Sequence, residues 1–217
     1  MGLRSRLFAS IYDRFTAGAE EACFRAHRAE LLTGARGKVL EIGAGTGANL
    51  PFYSDAADAV TCVEPEAAMI RRLALKARQQ QRPIEIVEAP AERLPLPDAH
   101  FDTVVSTLVL CTVADQRQAL AEVRRVLKPG GTLLFMEHVR SEDPKLAKWQ
   151  DRLNGVNRFV ACGCNCNRST VDAIRAAGFA ITALTKDTIQ KAPPFVRPLV
   201  VGAARSQASG VAPGTRT

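Results

Sequence analysis

The 217-residue chain has little of three things: aromatic side chains, at 6% with one Trp and two Tyr; histidine, with three; and long uninterrupted apolar sequence. Its longest apolar stretch, VVSTLVLCTV at 104–113, is about half of the roughly 20 residues a membrane-spanning helix needs, and Ser106, Thr107 and Thr112 break it. No transmembrane helix is expected. The start, MGLRSRLFAS, carries arginines but lacks a continuous apolar core and a small-residue cleavage site, so it does not read as a secretory leader and a cytoplasmic location is expected. In that compartment the six cysteines (23, 62, 111, 162, 164, 166) stay as thiols rather than a disulfide framework. Lys and Arg are dispersed without aromatic interleaving, which argues against nucleic acid as a partner. Internal repeats are absent too.

What is present reads as one α/β domain. The net charge of +7 is uneven, with six basic against four acidic residues in 1–37, eleven against thirteen in 38–139, and twelve against five in 140–217. Apolar residues at helical spacing (Leu7, Ile11, Phe15, Ala19, Ala22, Cys23, Ala26, Leu31) predict an amphipathic helix over 3–33 with a break near Gly18. Short apolar runs at 38–43, 59–64, 84–89, 101–107 and 131–139 predict strands, alternating with helices or loops as in a parallel sheet covered on both faces. A helix over 115–127 is expected to start at Asp115 as N-cap with Gln118 as its partner, and KPGG (128–131) to end it and turn the chain. Helices are predicted at about 143–158 and at 168–177, the latter capped by Asn167 and stopped at Gly178. Strands are predicted at 179–186 and 196–204. The domain plan is a helical lid at 1–37, a core at 38–204 and a disordered tail at 205–217.

The chemistry concentrates after the first strand. VLEIGAGTGANL places Gly43, Gly45 and Gly47 where a backbone must turn tightly and let a ligand approach. Glu64 ends the next strand, 21 residues after Gly43, where a carboxylate can accept both ribose hydroxyls. The pair predicts a nucleoside site. Gly43, Gly45 and Ala48 also satisfy the dinucleotide fingerprint, which leaves a nicotinamide-dependent oxidoreductase open. Glu41 points the other way: a carboxylate two residues before the first glycine repels a pyrophosphate and attracts a cationic amino-acid tail, favouring S-adenosylmethionine.

At this point the chain resembles the class I S-adenosylmethionine-dependent methyltransferases, through EIGAGTG (41–47), CVEP (62–65), LPLPDAHFDTVVS (94–106) and RVLKPGG (125–131). Further segments, STLVLCTV (106–113), FMEHV (135–139), GCNCNR (163–168) and VRPLVVG (196–202), resemble the microsomal alkyl-thiol methyltransferase family and its bacterial relatives; those membrane-bound proteins open on an apolar anchor that MGLRSRLFAS does not resemble, so membrane residence is not expected to carry over. The resemblance implies a seven-stranded sheet of order 3-2-1-4-5-7-6 with the seventh strand antiparallel. It implies that Gly43, Ala44, Gly45, Gly47 and Asn49 surround the methionine part, Glu41 its amino group and Glu64 the ribose. Many members carry an aspartate where this chain has Pro90, so the adenine contact falls to the Ala91 backbone or Glu92, with apolar cover from Pro65 and Met69. Thr107 and Leu108 would line the wall beside the sulfonium, and Tyr12 with Asp13 would close a lid.

On the acceptor side the resemblance implies methyl transfer to a small apolar molecule, a thiol before an amine, a phospholipid headgroup or a hydroxyl. His138 is the candidate to take a proton or orient the acceptor, and Cys111 a candidate pocket residue. Asp115 reads as a cap rather than a base, and His27 and His100 as surface residues. Cys162, Cys164 and Cys166 are spaced more tightly than common zinc ligands and have no histidine near them in sequence, so no metal is expected and the loop reads as a pocket cover. Arg4, Arg6, Arg14, Arg25 and Arg28 make the first helix mildly basic, which suggests peripheral contact with anionic membranes.

Overall fold

The apolar runs pair into a seven-stranded sheet in the computed structural model, which describes residues 23–161, 163–189 and 192–207. Its strands are β1 (Gly37–Ile42), β2 (Ala57–Val63), β3 (Ile84–Val87), β4 (Phe101–Thr107), β5 (Leu127–His138), β6 (Phe179–Thr188) and β7 (Pro198–Ser206). They lie in the order β3-β2-β1-β4-β5-β7-β6. Strands β1 to β5 pair in parallel, and β7 enters antiparallel between β5 and β6. The expected sheet order is the observed one.

Burial on both faces explains why the inner strands β1, β2 and β4 and the second half of β5 read as continuous apolar runs. Along β1, Leu40 and Ile42 join one apolar cluster while Val39 joins the other; along β5, Leu133 and Phe135 go to the first and Leu134 and Met136 to the second. This is the two-residue period of a pleated strand. Glu41, between Leu40 and Ile42, therefore points to the face of Val39, where Leu50 and Tyr53 close over it.

The helices are α1 (Arg25–Leu31), α2 (Ala67–Ala77), α3 (Gln116–Val126), α4 (Pro144–Val160) and α5 (Thr170–Ala176). Asp115 caps α3 as predicted, its side chain accepting the Gln118 N–H at 3.0 Å, and the helix buries Ala119, Leu120, Val123 and Val126. Two local expectations fail. KPGG does not turn the chain between elements: β5 already begins at Leu127, paired with Phe101, and the register shifts across the glycines before Thr132 pairs with Thr103. Asn167 does not cap α5, whose N-cap is Ser169; the Asn167 amide donates instead to Asp151 on α4 at 3.0 Å. Strand β7 continues through Ser206, two residues into the expected tail, because Arg205 and Ser206 find partners on Thr132 and Phe179. Of the expected N-terminal lid only α1 is described, and Tyr12, Asp13 and the Gly18 break lie outside the described residues. Among the described residues no helix is long and apolar enough to cross a membrane.

Candidate functional site

Open parallel sheets bind ligands at the carboxyl ends of their strands, where the strand order reverses. Here that place lies between β1 and β4, and the predicted residues gather there. Gly43, Gly45 and Gly47 follow β1 with φ of 58°, 56° and 79°, a region where a side chain is strained. A Cβ at Gly43 would come within 2.5 Å of Val109 and one at Gly47 within 2.9 Å of Leu73, whereas one at Gly45 would meet nothing within 4 Å. Gly43 and Gly47 are thus required by packing as well as by backbone, while Gly45 borders open space.

The Glu64 carboxylate, 6% exposed, reaches back to this loop: Oε2 accepts the Gly45 N–H at 2.9 Å and Oε1 the Glu66 N–H at 3.0 Å. Burial raises its pKa against those two donors. Each oxygen retains a lone pair. Pro65 is exposed beside it, and Met69 is buried in α2.

Glu41 sits deeper, 2% exposed. The Tyr53 hydroxyl donates to its Oε2 at 2.7 Å and the Asn49 amide to its Oε1 at 2.9 Å. Asn49 also donates to the Thr107 hydroxyl at 3.0 Å and accepts from the Arg28 guanidinium, which donates in turn to Thr107 at 3.0 Å. Desolvation pushes the Glu41 carboxyl up to about 7, although Tyr53, Arg28 and Asn49 favour its ionised form. Glu41, Asn49 and Thr107, predicted as separate contacts, form one buried network whose lid is Arg28 from α1. This corrects the reading of Arg28 as part of a basic membrane-facing surface: it is 5% exposed and faces inward. His27, expected on the surface, is half-buried with Nε2 2.7 Å from Asp187, which ties α1 to the end of β6. His100 lies 3.4 Å from the Lys38 amine.

The two residues offered for adenine part company. Ala91 is buried in the apolar cluster, and the Glu92 carboxylate accepts the backbone N–H groups of Ala114 at 2.8 Å and Asp115 at 3.3 Å. Glu92 therefore holds the entry to α3.

Leu108 leaves β4 with φ of 62°, a left-handed conformation that costs a non-glycine residue roughly 1–2 kcal/mol. Its N–H is held by Met136 O at 2.7 Å. What pins the next turn is Glu137, fully buried in β5: its Oε1 accepts Ser106 Oγ at 2.7 Å, Val109 N–H at 3.1 Å and Leu110 N–H at 3.0 Å, and its Oε2 accepts Cys111 N–H at 3.1 Å. The sequence reading passed over Glu137. Its signal was a carboxylate inside FMEHV at a position the period of two places indoors. Burial raises its pKa while the four donors lower it.

The turn that Glu137 pins delivers Cys111 to the end of β5. The Cys111 carbonyl accepts the backbone N–H of Asn165 at 2.8 Å and its side-chain amide at 3.1 Å, so the 163–168 loop is tied to this turn. Cys164 Sγ then lies 3.7 Å from Cys111 Sγ and 3.2 Å from His138 Nδ1. Cys166 is buried apart from them, with Sγ 3.9 Å from Asn154, and Cys162 is outside the described residues. The histidine that sequence spacing did not set beside the cysteine loop is His138.

Comparison with known proteins agrees with this geometry. Residues 40–135 match the family described as Methyltransferase domain. The human thiol S-methyltransferase TMT1B is 39% identical over 178 residues, spanning 79% of this chain and 70% of that protein. Human thiol S-methyltransferase TMT1A is 35% identical over 202 residues, or 90% and 81% of the two chains. A solved S-adenosylmethionine-dependent methyltransferase from Thermotoga maritima shares the fold, with a TM-score of 0.70 at 21% identity across 94% of this chain and 97% of that one. The chain belongs to the class I S-adenosylmethionine-dependent methyltransferases, with S-adenosylmethionine as methyl donor.

Proposed function

We propose that the chain transfers the methyl group of S-adenosylmethionine to the sulfur of a small apolar thiol. The observation that carries this reading is the 39% identity to a human thiol S-methyltransferase across 70% of its length. When bound, the donor supplies a methyl group made electrophilic by its sulfonium. The site residues fit it: Gly45 leaves room for close approach to the backbone, and Glu64 has lone pairs to spare for ribose hydroxyls. Glu41, through Asn49, sets the polarity of the methionine end, and Thr107 and Leu108 form the wall towards the acceptor.

For the acceptor, the residues at the ends of β4 and β5 are small and soft. The carboxylate in reach, Glu137, is turned inward and bonded to four donors, which leaves Cys111, Cys164 and the half-buried His138. In-line displacement asks the protein to hold the nucleophile about 3 Å from the methyl carbon and to exclude water. The acceptor sulfur forms the new carbon bond while the carbon–sulfonium bond breaks towards the donor. Ionising a thiol of pKa near 8.5 at pH 7 costs only about 2 kcal/mol, so a modest base suffices, and on this reading His138 takes the proton. An amine or alcohol would ask for more.

S-adenosylhomocysteine release, measured in parallel with a small aliphatic thiol, the matched amine and the matched alcohol, tests the reading. Release with the thiol alone is expected. Release with the amine or alcohol and none with the thiol overturns it.

A further inference from the structure

We propose that Cys111, His138 and Cys164 form a binding site for a borderline-soft divalent cation, Zn²⁺ in the first instance, with three protein ligands and a fourth position open. The cluster brings two sulfurs and an imidazole nitrogen within 4.8 Å of one another from three separate parts of the fold: the turn after β4, the last residue of β5 and the loop after α4. With metal–sulfur bonds of about 2.3 Å, a tetrahedral centre sets its sulfurs about 3.8 Å apart. The Cys111 and Cys164 sulfurs are 3.7 Å apart. The same geometry asks for about 3.6 Å between sulfur and nitrogen, against 3.2 Å for Cys164 and His138, so a small outward shift of the imidazole admits the ion.

The backbone around these ligands is fixed independently of any ion. Cys111 is held at its N–H by Glu137 and at its carbonyl by Asn165. Cys164 is held at its carbonyl by the Asn157 amide at 2.8 Å and at its N–H by Ala161 O at 3.1 Å. Ligands positioned this way lose little freedom on binding, and the partly exposed His138 gives an ion a route in. The donor set of two thiolates and one imidazole suits Zn²⁺ rather than Mg²⁺ or Ca²⁺, which take oxygen. In the bare chain, the hydrogen bond to Cys164 and burial hold the Cys111 thiol well above its ordinary range; a dication ionises its thiol ligands outright.

Three protein ligands leave a tetrahedral ion one exogenous ligand. On the thiol reading of the function, that ligand is the acceptor: its proton passes to solvent as its sulfur binds the ion, the sulfur then forms the bond to the methyl carbon while the carbon–sulfonium bond breaks towards the donor, and with the ion bound His138 is a ligand in place of the base of the metal-free chain. This last step rests on the thiol reading; the site itself does not.

The test uses the full chain kept reduced, with no substrate present. Co²⁺ titration should give one equivalent bound, visible d–d bands of tetrahedral intensity and thiolate-to-cobalt charge transfer, and Zn²⁺ should displace it and raise the melting temperature. Cys111→Ser, Cys164→Ser and His138→Asn should each weaken binding beyond the roughly tenfold to hundredfold that losing an outer partner costs. Circular dichroism of each variant shows that it is folded, and His138→Asn, at a partly exposed position, guards against loss of fold in the cysteine variants. A reduced chain that takes up no Co²⁺, or variants that bind it as tightly as the parent, overturns the site. A small aliphatic thiol added to the Co²⁺-loaded chain should shift the bands; an unchanged spectrum alongside intact S-methylation overturns the acceptor's place on the ion. Metal binding in a chain that methylates only amines overturns the thiol reading and leaves the site standing.

Discussion

A carboxyl group with no solvent around it makes its presence felt through pH. Glu41 is buried among Tyr53, Asn49 and Arg28 with its pKa lifted from 4.5 to about 7. Its protonated form is favoured in the folded chain, so between those two values the native state holds more protons than the unfolded one and stability falls as pH rises. Above pH 7 the full cost of ionisation is present, of order 3 kcal/mol at about 1.4 kcal/mol per unit. Urea unfolding of the parent and Glu41→Gln should therefore give a gap that moves in favour of the glutamine variant from pH 5 to pH 8; parallel stabilities at both values would place the carboxyl in contact with water. Glu64 makes the complementary case. Its bonds to Gly45 and Glu66 leave lone pairs free, and a hydrogen bond to a charged acceptor contributes roughly 1.5–3 kcal/mol. Glu64→Ala should weaken S-adenosylhomocysteine binding by ten- to a hundredfold, as isothermal titration would read, and an unchanged dissociation constant would remove it from the site. Both residues were legible in the sequence because each sits at a fixed offset from the glycine loop. Glu92, read from its offset as an adenine contact, accepts the N–H groups of Ala114 and Asp115 on Oε1, a tie to α3 that has no local signature in the sequence.

Elements were easier to read than their joints. Burial on both faces writes the inner parallel strands as apolar runs, and the α3 cap follows from one side chain bonding one N–H three residues on. The joints depend on partners remote in sequence. KPGG extends β5 because Leu127 pairs with Phe101, and Asn167 is drawn from the helix start by Asp151; neither contact has a local signature. The turn after β4 shows the same principle with energy attached. One carboxylate, Glu137, satisfies Ser106 and three successive N–H groups beyond the strained Leu108. Glu137→Ala orphans four buried donors, three N–H groups and the Ser106 hydroxyl, and at about 1–3 kcal/mol each the three N–H groups alone should bring the loss to at least 3 kcal/mol. Glu137→Gln, which keeps an acceptor for most of them, should fall between. Denaturant midpoints of the three chains would show this order. A loss under 1 kcal/mol for the alanine variant would mean that water replaces the carboxylate.

At the scale of the whole molecule, the question is how the N-terminal region reaches a site made by the sheet. Its described part, α1, is joined to it at two points: Arg28 enters the Asn49–Thr107–Glu41 network, and His27 meets Asp187 at the far end of β6. The second contact is partly exposed, so screening leaves it weak, whereas the first is buried and carries the coupling. Neither contact was foreseen, because both join residues distant in sequence, 21 and 79 positions apart for Arg28 and 160 for His27. Arg28→Ala removes the cation that lowers the Glu41 pKa, so the pH midpoint seen for Glu41 should move above 7. It also unties α1 from the loop after β1. Amide exchange across 25–31 should then quicken while exchange in β4 and β5 stays at the parent rate, because those strands are held by their own ladder. If α1 closes over the donor, S-adenosylhomocysteine slows α1 exchange in the parent and much less in Arg28→Ala, with affinity falling in step. Equal protection in the two chains would show that α1 docks through its apolar face alone, and Arg28 would then act only within the buried network.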